Sequence, residues 1–398
     1  MSRRPLIAHV LHSLGTGGME RFAITLINST VERYRHAIIC LTEPGSMLRE
    51  LEDPSVPCFA LHKQPGKDWG CYFRFWRTLH GLKPDLIHSY NIGTLDLAPI
   101  AKLAGVRRVV HAERGRDVAD PNGESRRYRN LRRWMSPFIT RHLAVSRDLE
   151  SWLVDAVGIE RSKVMYMPNG IDARKFIAHA PEAEIRPLLG EFAPPGTLVI
   201  INVGRLDAVK DQAGLIDAFN VLCQRNPQTS ASLRLAIVGE GMERASLERH
   251  IARLGLASQV RLFGNRNDVP ALLGEADIFV LSSVGEGMPG AVLEAMASSV
   301  PVVATEVGGT VELVVNGETG TLVRPSQPHA LAAALDRYVR DRDLRLSHGR
   351  AGRARAECQF SLTSMLTAYA ALYDELLGRC AHRPRSNTSI RIAEPGER

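Results

Sequence analysis

The chain has 398 residues, 44% of them hydrophobic and 23% charged, with 33 glycines, 22 prolines and a formal net charge of +7. That balance excludes a disordered or collagen-like polymer, and the length suits two domains, each with its own core. No apolar run approaches the roughly 20 residues of a membrane helix, and His9 and His12 interrupt the first apolar stretch, against a signal peptide.

In chain order, strands are expected at 5–11, 36–42, 57–61, 85–90, 108–112, 142–146 and 163–168, then at 198–204, 233–239, 260–264, 277–283, 301–306 and 320–323. Runs such as LVIINVG, LRLAIVG and DIFVLS are apolar on both faces, as in parallel strands covered by helices. Alternation of such strands with amphipathic stretches predicts an α/β chain, doubly wound and built twice. The expected layout is a first domain over 1–177, a proline-bearing linker over 178–196 and a second domain over 197–360. A helix over 361–378 follows, and the polar stretch 379–398 reads as a disordered tail. The cysteines Cys40, Cys58, Cys71, Cys223, Cys358 and Cys380 have no CxxC pairing, so buried thiols in a reducing cytoplasm are expected.

Charge is concentrated. Between Arg107 and Arg147 stand eleven arginines against Glu113, Asp117, Asp120 and Glu124, a surplus equal to the whole net charge. Within it, RRYRNLRRWMSPFITRHL spaces Tyr128, Leu131, Trp134, Met135 and Phe138 as a helix would. One reading packs that stripe on a sheet and leaves a solvated basic face. The other lets the segment between Arg126 and Arg141 touch an anionic membrane, with Trp134 at the interface. No nucleic-acid motif accompanies the charge, so no nucleic-acid partner is expected.

The chemistry-bearing residues gather at strand ends of the second half. In SSVGEGMPGAVLEAM, Glu286 lies in a loop and Glu294 eight residues on, in the following helix. Pro289 suits a first helical turn, and the amides of Met288, Gly290 and Ala291 are then free to face an anion. NVGRLDAVKD places Arg205 and Lys210 just beyond a strand, where a fork and a point charge suit a diphosphate. IVGEG puts Gly239 and Gly241 at another strand end, fit for close approach of a base or ribose.

A rival pattern overlaps this one. Gly285, Gly287 and Gly290 spell G-x-G-x-x-G, with Glu306 at the distance of a ribose-binding acid, as in an NAD-dependent oxidoreductase. The loop is lengthened by Ser282–Val284, whereas that fingerprint turn is tight, and the pattern explains neither Glu294 nor Arg205 and Lys210.

Taken in order, GRLDAVKD, VGEG, LFGNRNDVPALLGEADIFVLSSVGEGMPGAVLEAMASSVPVVATEVGGTVELV and NGETG resemble the donor domain of family 4 glycosyltransferases with the GT-B fold. HVLHSLGTGGMERFAITLI, PDLIHSYN, LAVSRDL and MPNGIDARKF resemble that family's acceptor half. GGMER with HAERGRD further resembles the sugar transferases of exosortase-associated exopolysaccharide loci. The resemblance implies two Rossmann-like domains facing across a cleft, with the last helix crossing back to the first. It implies retaining transfer from a nucleotide diphosphate sugar to a glycan or polyprenyl-linked acceptor, at the inner face of the membrane. Glu286 then lies by the transferred sugar, Glu294 binds the ribose, and Arg205 and Lys210 hold the diphosphate opposite Gly17 and Gly18. His111 or Glu113 takes the place of the family's histidine. No metal or other cofactor is expected, since the D-x-D at Asp341–Asp343 lies in a late helical stretch. A nucleotide-sugar epimerase of the same fold is the remaining alternative, disfavoured by the Glu286–Glu294 spacing.

Overall fold

The computed structural model describes residues 3–15, 17–117, 119–176 and 186–379. The expected strands form two parallel sheets. The first holds β1 (Leu6–Leu11), β2 (Arg35–Cys40), β3 (Cys58–Ala60), β4 (Leu86–Tyr90), β5 (Val109–Glu113), β6 (Arg141–Ala144) and β7 (Val164–Tyr166) in the order β3-β2-β1-β4-β5-β6-β7. The second holds β8 (Leu198–Val203), β9 (Leu233–Val238), β10 (Val260–Leu262), β11 (Ile278–Leu281), β12 (Val302–Thr305) and β13 (Gly320–Val323) in the order β10-β9-β8-β11-β12-β13. In each, strand order reverses beside the first strand, and crevices for ligands open at the carboxyl ends there.

Helices α1 (Gly18–Thr30), α2 (Trp69–Leu82), α3 (Ala98–Leu103), α4 (Arg126–Met135) and α5 (Arg147–Ser151) belong to the first domain. The second contributes α6 (Gln212–Arg225), α7 (Arg244–Arg253), α8 (Val269–Gly274), α9 (Gly290–Ala297), α10 (Thr310–Leu313), α11 (Pro328–Arg340) and α12 (Arg342–Gln359), before α13 (Leu362–Leu377). Alternation along each strand decides which helix covers which face. Ala8, Val10, Ile39 and Ile87 share a core with Phe75 and Leu79 of α2 and Ala98 and Ala101 of α3. Ile7, Leu11, Ile38 and Tyr90 face the other way, onto Phe22 and Leu26 of α1.

The last helix does cross back. Met365, Tyr369, Leu372 and Tyr373 of α13 are buried in that second cluster. The Tyr34 hydroxyl donates to Asp374 Oδ1 at 2.8 Å, and the Tyr373 hydroxyl lies 2.7 Å from His88 Nδ1. Ser361 caps α13 through the Ser364 amide, and Gly378, at φ +67°, ends it in the left-handed conformation a side chain would oppose.

The linker expectation needs correction. Arg186 pairs with Asp277 at 2.8 Å, and Leu189, Phe192 and Ala193 are buried in the second domain's core. Residues 186–193 are thus part of that domain, because they carry apolar side chains between the prolines. Residues 177–185 and the expected tail from 380 onward lie outside the described residues. Among the described cysteines all are free thiols, Cys40 and Cys71 buried and Cys358 exposed.

Candidate active site

Eight residues, 282–289, separate the end of β11 from α9. Within them Glu286 is fixed by two donors: Ser283 Oγ at 2.6 Å and Lys210 Nζ at 2.5 Å reach the same carboxylate oxygen. Lys210 closes a short turn after β8, and Ser282 Oγ holds its carbonyl at 2.8 Å. The next residue, Asp211, takes φ +48° and caps α6 through the Gly214 amide. Two loops at neighbouring strand ends therefore present one carboxylate and one ammonium in contact.

The remaining donor-side candidates surround this pair. Arg205 has a mostly exposed side chain with Asp207 3.0 Å away. Across the cleft, burial pushes the Glu20 carboxyl up, while its own backbone amide and the Arg205 charge oppose that rise. Glu294 is pushed up to about 7 by burial, opposed by Arg21. Glu20 and Arg21 lie in the first turn of α1, so the Gly17–Gly18 end of that helix looks across at Arg205 and Glu294. Neither Gly18 nor Gly290 has an atom within 4 Å of where a side chain would begin. Open space thus adjoins both helix N-termini, whose first amides lack intrahelical acceptors.

Several expectations change in detail. Pro289 is the cap residue before α9, with extended backbone, and the helix begins at Gly290. Met288 is tied to the other domain, its carbonyl accepting from Asn169 Nδ2 at 2.9 Å and its sulfur from the Asn169 amide at 3.2 Å. Gly239 (φ +142°) and Gly241 are required by the chain itself. A side chain at Gly239 would strike the Gly204 carbonyl, and one at Gly241 the Leu206 carbonyl. These glycines let the β9 loop lie against the loop that carries Arg205.

The catalytic reading of His111 and Glu113 is corrected. Both are completely enclosed at the end of β5. Glu113 takes a bidentate guanidinium from Arg132 of α4, at 2.6 and 3.0 Å, and His111 Nδ1 lies 2.9 Å from Ser89 Oγ. Burial would raise the Glu113 carboxyl, but Arg132, helped by His111, holds it well below the usual carboxylate range. The residue that reaches the domain junction is the next one, Arg114. Its guanidinium lies 3.6 Å from the centre of the Phe22 ring and donates to Asn169 Oδ1, while its amide donates to Asn91 Oδ1 at 2.7 Å. A side chain on Gly287 would collide with the Arg114 carbonyl.

Sequence reasoning missed Arg114, Ser283, Glu20 and Arg21, for which position at a strand end or first helical turn was the available signal. His9 and His88 belong to a buried cluster with Tyr90 and Tyr373, while His12 is exposed. Asp341 accepts the Leu344 amide at 2.9 Å as the cap of α12, so the D-x-D is a helix start. Of the dinucleotide-pattern glycines, Gly285 and Gly287 lie in the long loop, where the Gly309 amide donates to the Gly287 carbonyl at 2.7 Å, and Gly290 begins α9.

Two Rossmann-like domains facing across a cleft define the GT-B fold. Residues 16–175 match the model of Glycosyltransferase Family 4, and residues 190–355 that of Glycosyl transferases group 1. The chain belongs to the family 4 glycosyltransferases of the GT-B fold. It is 26% identical over 352 residues to an Escherichia coli UDP-Gal:alpha-D-GlcNAc-diphosphoundecaprenol alpha-1,3-galactosyltransferase, covering 85% of this chain and 89% of that one. It is 28% identical over 307 residues to a glycogen synthase of Mycobacterium tuberculosis, covering 75% and 69%. Among solved structures, Anabaena Alr3699/HepE in complex with UDP and glucose superposes with a TM-score of 0.80 at 22% identity, over 93% of this chain and 99% of that one.

Proposed function

We propose that the chain is a retaining hexosyltransferase that moves a sugar from a nucleotide diphosphate sugar to a glycan or polyprenyl-diphosphate-linked acceptor in exopolysaccharide or cell-envelope polysaccharide synthesis. The observation that carries this reading is the Lys210–Glu286 pair, held at strand ends opposite the glycine end of α1. The likeness to a galactosyltransferase named for a diphosphoundecaprenol acceptor supports the acceptor class.

In this reading the diphosphate lies between Arg205, Lys210 and the amides that start α9, with Gly17 and Gly18 closing over it. Glu294 accepts the ribose hydroxyls. The acceptor oxygen bonds to the anomeric carbon on the face from which the bond to the β-phosphate oxygen breaks, and the hydroxyl proton passes to that departing oxygen. Arg205, Lys210 and the helix amides stabilise the leaving charge as it develops, the interactions that lower a barrier most. Glu286 acts beside the sugar, where positive charge builds at the anomeric carbon. Met288 and Asn169 fix how the two domains meet over the donor, and Gly239 and Gly241 hold the Arg205 loop. No divalent ion takes part in this scheme. A peripheral contact between the inner face of the membrane and the segment from Arg126 to Arg141 brings the enzyme to a lipid-linked acceptor.

The test incubates the enzyme with UDP-, GDP- and ADP-sugars and a polyprenyl-diphosphate-linked sugar, then reads the new linkage by NMR, with and without EDTA. The reading expects one donor base to serve, the donor's anomeric configuration to persist, and chelation to leave the rate unchanged. An inverted linkage overturns retention, and loss of activity in EDTA overturns the metal-free scheme.

A further inference from the structure

The described residues have seven exposed large hydrophobic side chains, and five of them, Trp69, Phe73, Trp76, Leu103 and Trp134, belong to α2, α3 and α4. These three helices pack on the same face of the first sheet, so the five residues share one outer layer of the domain. On α2 the spacing is helical: Trp69, Phe73 and Trp76 fall three or four residues apart while Cys71, Phe75 and Leu79 face the sheet. Phe73 stacks on Trp76 with ring centres 6.0 Å apart, and Trp76 stacks on His80 at 5.3 Å, giving a continuous aromatic ridge. Trp69 is 77% exposed and Phe73 61%. Burying such rings away from water is favourable, so leaving them exposed is a standing cost.

Charge distinguishes this layer from a protein-binding patch. The three helices contain no Asp or Glu, but carry Arg74, Arg77, Lys102, Arg126, Arg127, Arg129, Arg132 and Arg133. Arg132 is spent on Glu113 and Arg74 on Asp68, the cap of α2. Exposed Arg77, Arg126 and Arg127 remain on the layer, joined at its rim by exposed Lys67, Lys83 and Arg107. The rim also holds exposed Asp85 and Glu124 and the cap residue Asp68, so cations outnumber acids there. Aromatic rings amid such an excess of cations let a surface settle into the headgroup region of an anionic bilayer.

We infer that α2 is the membrane-inserting element of this protein, its Trp69–Phe73–Trp76 ridge entering an anionic lipid leaflet while α4 and its neighbours supply the attraction. The inference deepens the membrane contact proposed above by moving its apolar component from α4 to α2. On α4 the apolar residues divide, with Leu131 and Met135 packed inward and Trp134 exposed. The geometry also joins surface to site. Arg132 of the layer holds Glu113, and the following residue, Arg114, lies at the domain junction. A chain docked in this way has its cleft beside the leaflet that would deliver a lipid-linked acceptor.

The test is co-flotation of the full chain with vesicles of phosphatidylglycerol and phosphatidylcholine mixed equally, or of phosphatidylcholine alone. Wild type is expected to float with the anionic vesicles only. The variant W69A/F73A/W76A should lose at least tenfold of that binding, while R126E/R127E should lose it in a salt-dependent way. Nucleoside diphosphate binding by calorimetry should be unchanged in both, which separates failure of the surface from failure of the glycosyltransferase reading. Equal flotation of W69A/F73A/W76A and wild type overturns the role of α2. So does a wild-type dimer without vesicles that this variant abolishes, since a second copy would then be the occupant.

Discussion

At the scale of single residues, Glu294 makes the sharpest claim. Burial raises its carboxyl to about 7, yet as a ribose ligand it must accept two hydroxyls, which favours the charged form. Donor binding therefore releases a proton below pH 7. Affinity for UDP-glucose, whose diphosphate does not titrate in this range, should rise up to tenfold per pH unit below about 7 and level off above it. Calorimetry from pH 5.5 to 8.5 checks this, and Glu294→Gln should bind weakly with a flat profile. An equally steep rise in that variant would assign the proton to another group. Glu286 and Glu294 were legible because their spacing, strand end and helix start stand in one stretch of sequence. Arg114 was not, because its importance comes from Phe22, Asn91 and Asn169, which only the fold brings to it.

At the scale of elements, α4 shows why a basic stripe is not one thing. Its arginines look equivalent in sequence, but Arg132, next to the partly buried Leu131, is buried and meets Glu113 at the end of β5. Breaking a buried pair on one side leaves a charge without a partner and costs about 3–5 kcal/mol. Arg132→Ala should lower Tm by about 5 °C in a chain of this size. The double variant E113Q/R132M should recover most of that loss, because it removes both charges together. If the single variant melts like wild type, the pair does not fasten α4 to the sheet. The strands were read closely because apolar runs with glycine ends mark parallel sheets on their own. The start of the second domain at 186 was not, since its anchor is an ion pair to Asp277, ninety-one residues further along.

At the scale of the whole molecule, the fold explains why the candidate site lies between two domains. Each sheet reverses its strand order beside its first strand, and α13 with the Asn169–Met288 contact fixes the two crevices face to face. This double architecture was visible in the alternation of strands and helices. Which charges lie near one another across the gap was not, because Arg205 acts on Glu20, and Arg21 on Glu294, only through the docking of the domains.

The central claim is that this gap binds a nucleoside diphosphate through Lys210. It is tested most directly by thermal unfolding of wild type and Lys210→Ala with UDP, GDP, ADP and NAD, each at about a hundred times its dissociation constant. The account predicts that one nucleoside diphosphate raises the wild-type Tm by about 3 °C, that the variant loses the rise, and that NAD does nothing. A rise with NAD alone, unchanged in Lys210→Ala, would contradict it and restore the dinucleotide reading of Gly285, Gly287 and Gly290.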